Sequence, residues 1–125
     1  MTAREAILVV DDNPTNLKLL KHILLAEGYE IKTACHAPEA LSILETFRPS
    51  LIFMDLQLPG MSGLDLTRHL KAQPATKDII VVAVTAYAML GDEEKAKEAG
   101  CDGYITKPID TRSLPNLVAR FLART

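Results

Sequence analysis

The chain has no tryptophan, three phenylalanines, three tyrosines and two cysteines among its 125 residues. Cysteine this sparse does not make a disulfide scaffold. Cys35 and Cys101 have no metal-ligand spacing and read as free thiols of a reducing compartment. Neither sign of charge dominates: 14 lysines and arginines stand against 16 acidic residues, a formal net charge of −2. A basic footprint for a phosphate backbone is therefore missing, and nucleic acid is not an expected partner. Long apolar runs are missing too. The longest unbroken one, Ile79–Val84, is far short of a membrane span, and no apolar secretory segment opens the chain. The expected location is cytoplasmic, away from the membrane. Repeats, low-complexity stretches and linkers are absent. What is present is an ordinary globular mix, 48% hydrophobic and 24% charged. The length suits one domain over 1–125 with its own core.

Four apolar runs stand out: Ala6–Val10, Leu51–Met54, Ile79–Val84 and the weaker Gly103–Thr106. The first and third are nearly continuous, as in strands buried on both faces of a parallel sheet. Glu30–Ala34 is more polar and suits a strand nearer an edge. Between the runs lie helical patterns at Pro14–Glu27, Pro38–Phe47, Gly63–Ala72, Asp92–Ala99 and a last one carrying Leu114, Leu117, Val118, Phe121 and Leu122. Pro14 suits a first turn, Gly28 a stop and Ser62 a cap. Pro115 predicts that the last regular helix begins no earlier than about Ser113. This alternation of strand and helix predicts an α/β fold, a doubly wound five-stranded parallel sheet between helix layers.

In such sheets sites form at the carboxyl ends of the strands. Those ends carry Asp11-Asp12, Asp55, Thr85-Ala86 and Lys107-Pro108. Three carboxylates, a hydroxyl and an ammonium would share one edge. Two carboxylates about 4 Å apart repel by about 4 kcal/mol at an effective dielectric near 20, so the trio needs a cation or protons. Hard oxygen ligands without histidine or cysteine favour Mg²⁺ over zinc. Lys107 and Thr85 suit a phosphate oxygen, and a carboxylate beside them is a candidate nucleophile toward phosphorus. Each piece has a plainer explanation. Asp12 or Asn13 would cap the Pro14 helix, Asp55 would belong to a turn, Thr85 would end a strand and Lys107 would be solvated. The conjunction at four strand ends is what points to chemistry.

At these residues the sequence resembles the receiver domain of two-component response regulators. The segments Ile7-Leu8-Val9-Val10-Asp11-Asp12-Asn13, Met54-Asp55-Leu56-Gln57-Leu58-Pro59-Gly60-Met61-Ser62-Gly63, Val84-Thr85-Ala86 and Gly103-Tyr104-Ile105-Thr106-Lys107-Pro108 carry the resemblance. It implies the flavodoxin-like strand order 2-1-3-4-5. It makes Asp55 the phosphoacceptor. Asp12 and Asp55 would ligate Mg²⁺ with the backbone carbonyl of Gln57, and Asp11 would act mainly through water. Lys107 would contact the phosphoryl group, and the Lys107–Pro108 bond would be cis. Thr85 and Tyr104 would form the switch, and Gln57 and Tyr87 would influence phosphate lifetime. Thr85–Asp92 most resembles stand-alone receivers and those of hybrid sensor kinases. The implied phosphodonor is a sensor histidine kinase or histidine phosphotransfer protein. The implied target docks on the face of the fourth helix, fifth strand and last helix. With only Arg124 and Thr125 after the last helical pattern, no output domain is expected. Output would be a protein contact, onward phosphate transfer or service as a phosphate sink. Such a protein is not an enzyme beyond its own phosphorylation and dephosphorylation.

Two other classes compete. A phosphatase of the haloacid dehalogenase type also uses an aspartyl nucleophile, but needs an acid two residues later, where Gln57 stands. A flavodoxin-like cofactor carrier needs a Ser/Thr/Gly-rich phosphate loop after the first strand, where Asp11-Asp12-Asn13-Pro14 is acidic. By the plain reading, Tyr104 is a half-buried aromatic with a wet hydroxyl.

Overall fold

Strands and helices alternate through the computed structural model, which describes residues 5–86 and 91–123. In chain order they are β1 (Ala6–Val10), α1 (Pro14–Ala26), β2 (Glu30–Ala34), α2 (Ala37–Leu44), β3 (Leu51–Asp55), α3 (Gly63–Lys71), β4 (Ile80–Thr85), α4 (Asp92–Ala99), β5 (Gly103–Thr106) and α5 (Leu114–Leu122). All pairings are parallel and the order is β2-β1-β3-β4-β5. The polar strand β2 is an edge, and the continuous apolar runs β1, β3 and β4 occupy the middle, where both faces need cover.

Strand parity divides the core. Leu8, Val10, Ile52, Met54, Val81 and Ala83 pack with Ala40 and Leu44 of α2, Leu66 and Leu70 of α3 and Ala96 of α4. Ile7, Val9, Leu51, Phe53, Val82 and Val84 pack with Leu20 and Leu24 of α1 and Leu114 and Val118 of α5. The sheet is therefore wound on both faces.

Boundaries differ from the sequence pattern by a few residues, for local reasons. Helix α2 ends at Leu44 rather than near Phe47, because the Glu45 and Thr46 amides bond only three residues back, to the Ser42 and Ile43 carbonyls, tightening the last turn. Strand β4 runs one residue later than the apolar run. Ile79 N–H bonds back to the Thr76 carbonyl at 3.1 Å, while Thr85 pairs in register with Thr106. Helix α5 opens at Leu114 with Pro115 in its first turn. Gly28, at φ +94°, ends α1 by taking the left-handed conformation that only glycine adopts freely.

Candidate functional site

The parallel sheet brings the ends of β1, β3, β4 and β5 to one edge. Asp11 directly follows β1, Asp55 closes β3, Thr85 closes β4 and Lys107 follows β5. All four sequence-predicted side chains arrive there because each strand ends at a similar height in the register. Asp11, Asp55 and Thr85 are buried, and Asp12 is exposed at the rim. Asp11, Asp12 and Asp55 each present an oxygen within 4.8 Å of the others.

Lys107 bridges the two buried acids. Its Nζ lies 3.1 Å from Asp11 Oδ2 and 3.2 Å from Asp55 Oδ2. Its backbone N–H donates to the Thr85 carbonyl at 2.8 Å, which carries the β4–β5 pairing one residue further. The Lys107–Pro108 bond is cis. Burial pushes the Asp55 carboxyl above its ordinary range, and the Asp11 charge adds to this. The Gln57 N–H and the Lys107 ammonium oppose the rise without cancelling it. For Lys107 burial works downward, yet the hydrogen bonds to Asp11 and Asp55 override it and hold the ammonium above its usual value.

Further groups hold the acids in place. The Asn13 N–H donates to Asp11 Oδ1 at 2.9 Å, and Asn16 Nδ2 donates to Asp11 Oδ2 at 3.3 Å. Asn13 is also the cap of α1, its Oδ1 accepting from the Thr15 N–H at 2.9 Å, so capping falls to Asn13 and leaves both aspartates at the site. The Gln57 N–H donates to Asp55 Oδ1 at 2.9 Å, so Gln57 meets the site through its amide hydrogen. Two supporting roles, those of Asn16 and Gly63, lie beyond the sequence pattern. Asn16 carries a weak signal, an amide in the first turn of α1 five residues beyond Asp11. Gly63 has none in its backbone angles. A Cβ there would strike the Asp55 carbonyl oxygen and lie 2.8 Å from the Leu56 Cα, so glycine lets α3 begin against the end of β3.

Tyr104 lies on the same face as Thr85, beside Ala83 in the β4–β5 register. Its hydroxyl is buried, contrary to the expectation of a wet one, and has no hydrogen-bond partner among the described residues. Burial raises the phenol above its ordinary value, with Asp92 and Glu93 adding to it. The other position tied to phosphate lifetime, Tyr87, lies outside the described residues.

A parallel 2-1-3-4-5 sheet with an acid trio, a bridging lysine and a strand-end threonine on one edge defines the receiver class. A family model described as the response regulator receiver domain matches residues 7–119, and the chain belongs to that family. It is similar to the polar-differentiation response regulator DivK of Brucella anthropi, 43% identical over 114 residues that span 91% of this chain and 90% of the other. The crystal structure of a CheY-like receiver domain protein from Methanospirillum hungatei matches with a TM-score of 0.90 and 33% identity, covering 98% of this chain and 96% of that one. The receiver domain of a sensor histidine kinase from Pseudomonas aeruginosa, solved with magnesium coordinated in its active-site cleft, matches at a TM-score of 0.86 and 31% identity, over 97% and 99% of the two chains. The chain is thus a receiver domain of two-component signalling. Nothing in these likenesses favours a phosphatase. Among the described residues no helix is long and apolar enough to cross a membrane.

Proposed function

We propose that this chain is a signalling switch that takes a phosphoryl group from a phosphohistidine onto Asp55. The observation that carries this reading is the Lys107 bridge. One ammonium sits between two buried carboxylates, with a third oxygen donor within 4.8 Å, so the edge is built to hold more positive charge than Lys107 supplies. The donor set is all hard oxygen, which fits Mg²⁺ held by Asp11, Asp12, Asp55 and the Gln57 carbonyl. When bound, Mg²⁺ would neutralise charge on the entering phosphoryl oxygens.

The chain's own groups would do the rest. Asp55 Oδ1 is oriented by the Gln57 N–H, and Oδ2, aimed at Lys107, is the oxygen to attack phosphorus as the phosphorus–nitrogen bond of the donor histidine breaks. Lys107 would transfer from Asp55 to a phosphoryl oxygen, keeping its contact with Asp11. Thr85 would donate to the same group. An apolar depression of about 350 Å³ beside Lys107, lined by Leu19, Leu20, Pro108 and Ile109, suits the approach of a histidine kinase or phosphotransfer protein. The face of α4, β5 and α5 would carry the output contact to a cytoplasmic protein partner.

Incubation with acetyl phosphate or phosphoramidate and Mg²⁺ tests the reading. One phosphoryl group should be gained, and both EDTA and Asp55→Ala should abolish it. Equal labelling of Asp55→Ala would remove Asp55 from the role.

A further inference from the structure

Past β2 lies a second cluster with ligating chemistry, outside the acidic pocket. Cys35, His36 and Glu39 each present one ligand atom, and these atoms lie within 4.8 Å of one another. The β2–α2 turn makes the arrangement. His36, in extended backbone, is the cap of α2, and its Nδ1 accepts the Glu39 N–H at 3.1 Å. Glu39, in the first turn of α2, reaches back to accept the Cys35 N–H at 2.7 Å. The Glu39 carboxylate beside it holds the Cys35 thiol above its ordinary value. Cys35 and Glu39 are exposed and His36 half-buried, so solvent and ions reach all three. His36 also lines an open depression of about 400 Å³ with Leu41 and Met61.

We propose that Cys35, His36 and Glu39 form a binding site for a Zn²⁺-type cation, separate from the acid trio. A thiolate, an imidazole and a carboxylate are a borderline-soft set that prefers zinc to magnesium, and three protein ligands with an open position are a known zinc arrangement. Tetrahedral bonds of about 2.0–2.3 Å place ligand atoms about 3.3–3.8 Å apart. Closing from separations of up to 4.8 Å asks for about 1 Å of movement, within the rotamer freedom of exposed side chains. Binding breaks the Cys35 S–H bond, forms a metal–sulfur bond and releases the proton to solvent. The imidazole of His36 supplies one ring nitrogen, and the carboxylate of Glu39 turns from the Cys35 N–H to the metal. The plainer reading is a helix cap with a bystander thiol, and it predicts no metal.

Titration of the reduced full chain with Co²⁺ separates the two. With millimolar Mg²⁺ present to occupy the acid trio, the expected result is a thiolate-to-cobalt charge-transfer band in the near ultraviolet that saturates at one equivalent and that Zn²⁺ displaces. Cys35→Ser should abolish the band. His36→Asn keeps a capping oxygen while removing the imidazole, and should weaken binding at least tenfold, as should Glu39→Gln. Cys101→Ala, which removes the other thiol, should leave the band and its affinity unchanged. Absence of the band in the unmodified chain, its survival in Cys35→Ser, or unaltered affinity in both His36→Asn and Glu39→Gln would each overturn the site.

Discussion

Replacing Lys107 by methionine keeps most of its volume and removes its charge. At an effective dielectric near 20, each contact, at 3.1 and 3.2 Å, is an attraction of about 5 kcal/mol. Asp11 and Asp55, with oxygens no more than 4.8 Å apart, repel by about 3.5 kcal/mol or more on the same scale. Removing three charged groups from water offsets most of the net attraction, so the intact trio contributes little. Breaking it is different, because two nearly buried carboxylates, 5% and 3% exposed at their side chains, lose their partner together. The expected loss is about 3 kcal/mol in EDTA, a fall of about 10 °C in melting temperature for a domain of this size. Proton uptake by Asp55, whose carboxyl burial already holds high, limits that loss, so the melt belongs at mildly alkaline pH.

The second arm adds millimolar Mg²⁺. A cation that binds only the folded chain stabilises it by mass action. With Lys107 gone the edge is one positive charge poorer, so the rise in melting temperature should be larger in Lys107→Met than in the unmodified chain. The reasoning fails if Lys107→Met melts within 1 °C of the unmodified chain in EDTA, or if Mg²⁺ raises both by the same amount.

Asp12→Ala should lose most of the Mg²⁺-dependent rise in melting temperature; equal rises would show that Asp12 is no ligand. Gly63→Ala should cost more than about 2 kcal/mol in urea unfolding, because the colliding atoms are backbone and have nowhere to yield; a cost under 0.5 kcal/mol would mean α3 docks differently. Tyr104→Phe should raise stability by about 1 kcal/mol, since it deletes a buried hydroxyl without a described partner; a loss of similar size would reveal a bond that the hydroxyl does make.

The sheet was legible because burial on both faces writes β1, β3 and β4 as unbroken apolar runs, and because polar β2 declares itself an edge. The acid trio and Lys107 were legible because parallel strands force their carboxyl ends together, so position in the chain already fixes the neighbourhood. The supports of the site were less so. That Asn13 serves both as cap and as donor to Asp11 depends on the turn after β1, which spacing does not specify. Gly63 is required by an approach between two backbones, and its dihedral angles carry no mark of it. The Tyr104 hydroxyl is hidden in a residue whose ring is only partly covered, a distinction between atoms that residue hydrophobicity cannot express.

Anchoring of the helices explains why the proposed output face would be the one to move. Helix α3 buries Leu66 and Leu70, and α5 buries Leu114 and Val118. Helix α4 buries only Ala96 and Ala99. At about 0.8 kcal/mol per buried methylene-sized group, α4 is held more weakly by several kcal/mol than a helix anchored by two leucines. It starts after Gly91, a left-handed residue with no capping side chain, so its entry is also lightly fixed. On the sheet beneath, Thr85 and Tyr104 share one face, Tyr104 pairing with Ala83 and standing diagonal to Thr85 in the register. New charge at Asp55 would draw Thr85, and the nearest element able to respond at small cost is α4 with the Tyr104 ring against it. A helix held by leucines in that place would resist the same pull, so the poverty of α4 in apolar residues is what would make this edge of the fold a switch rather than a rigid wall.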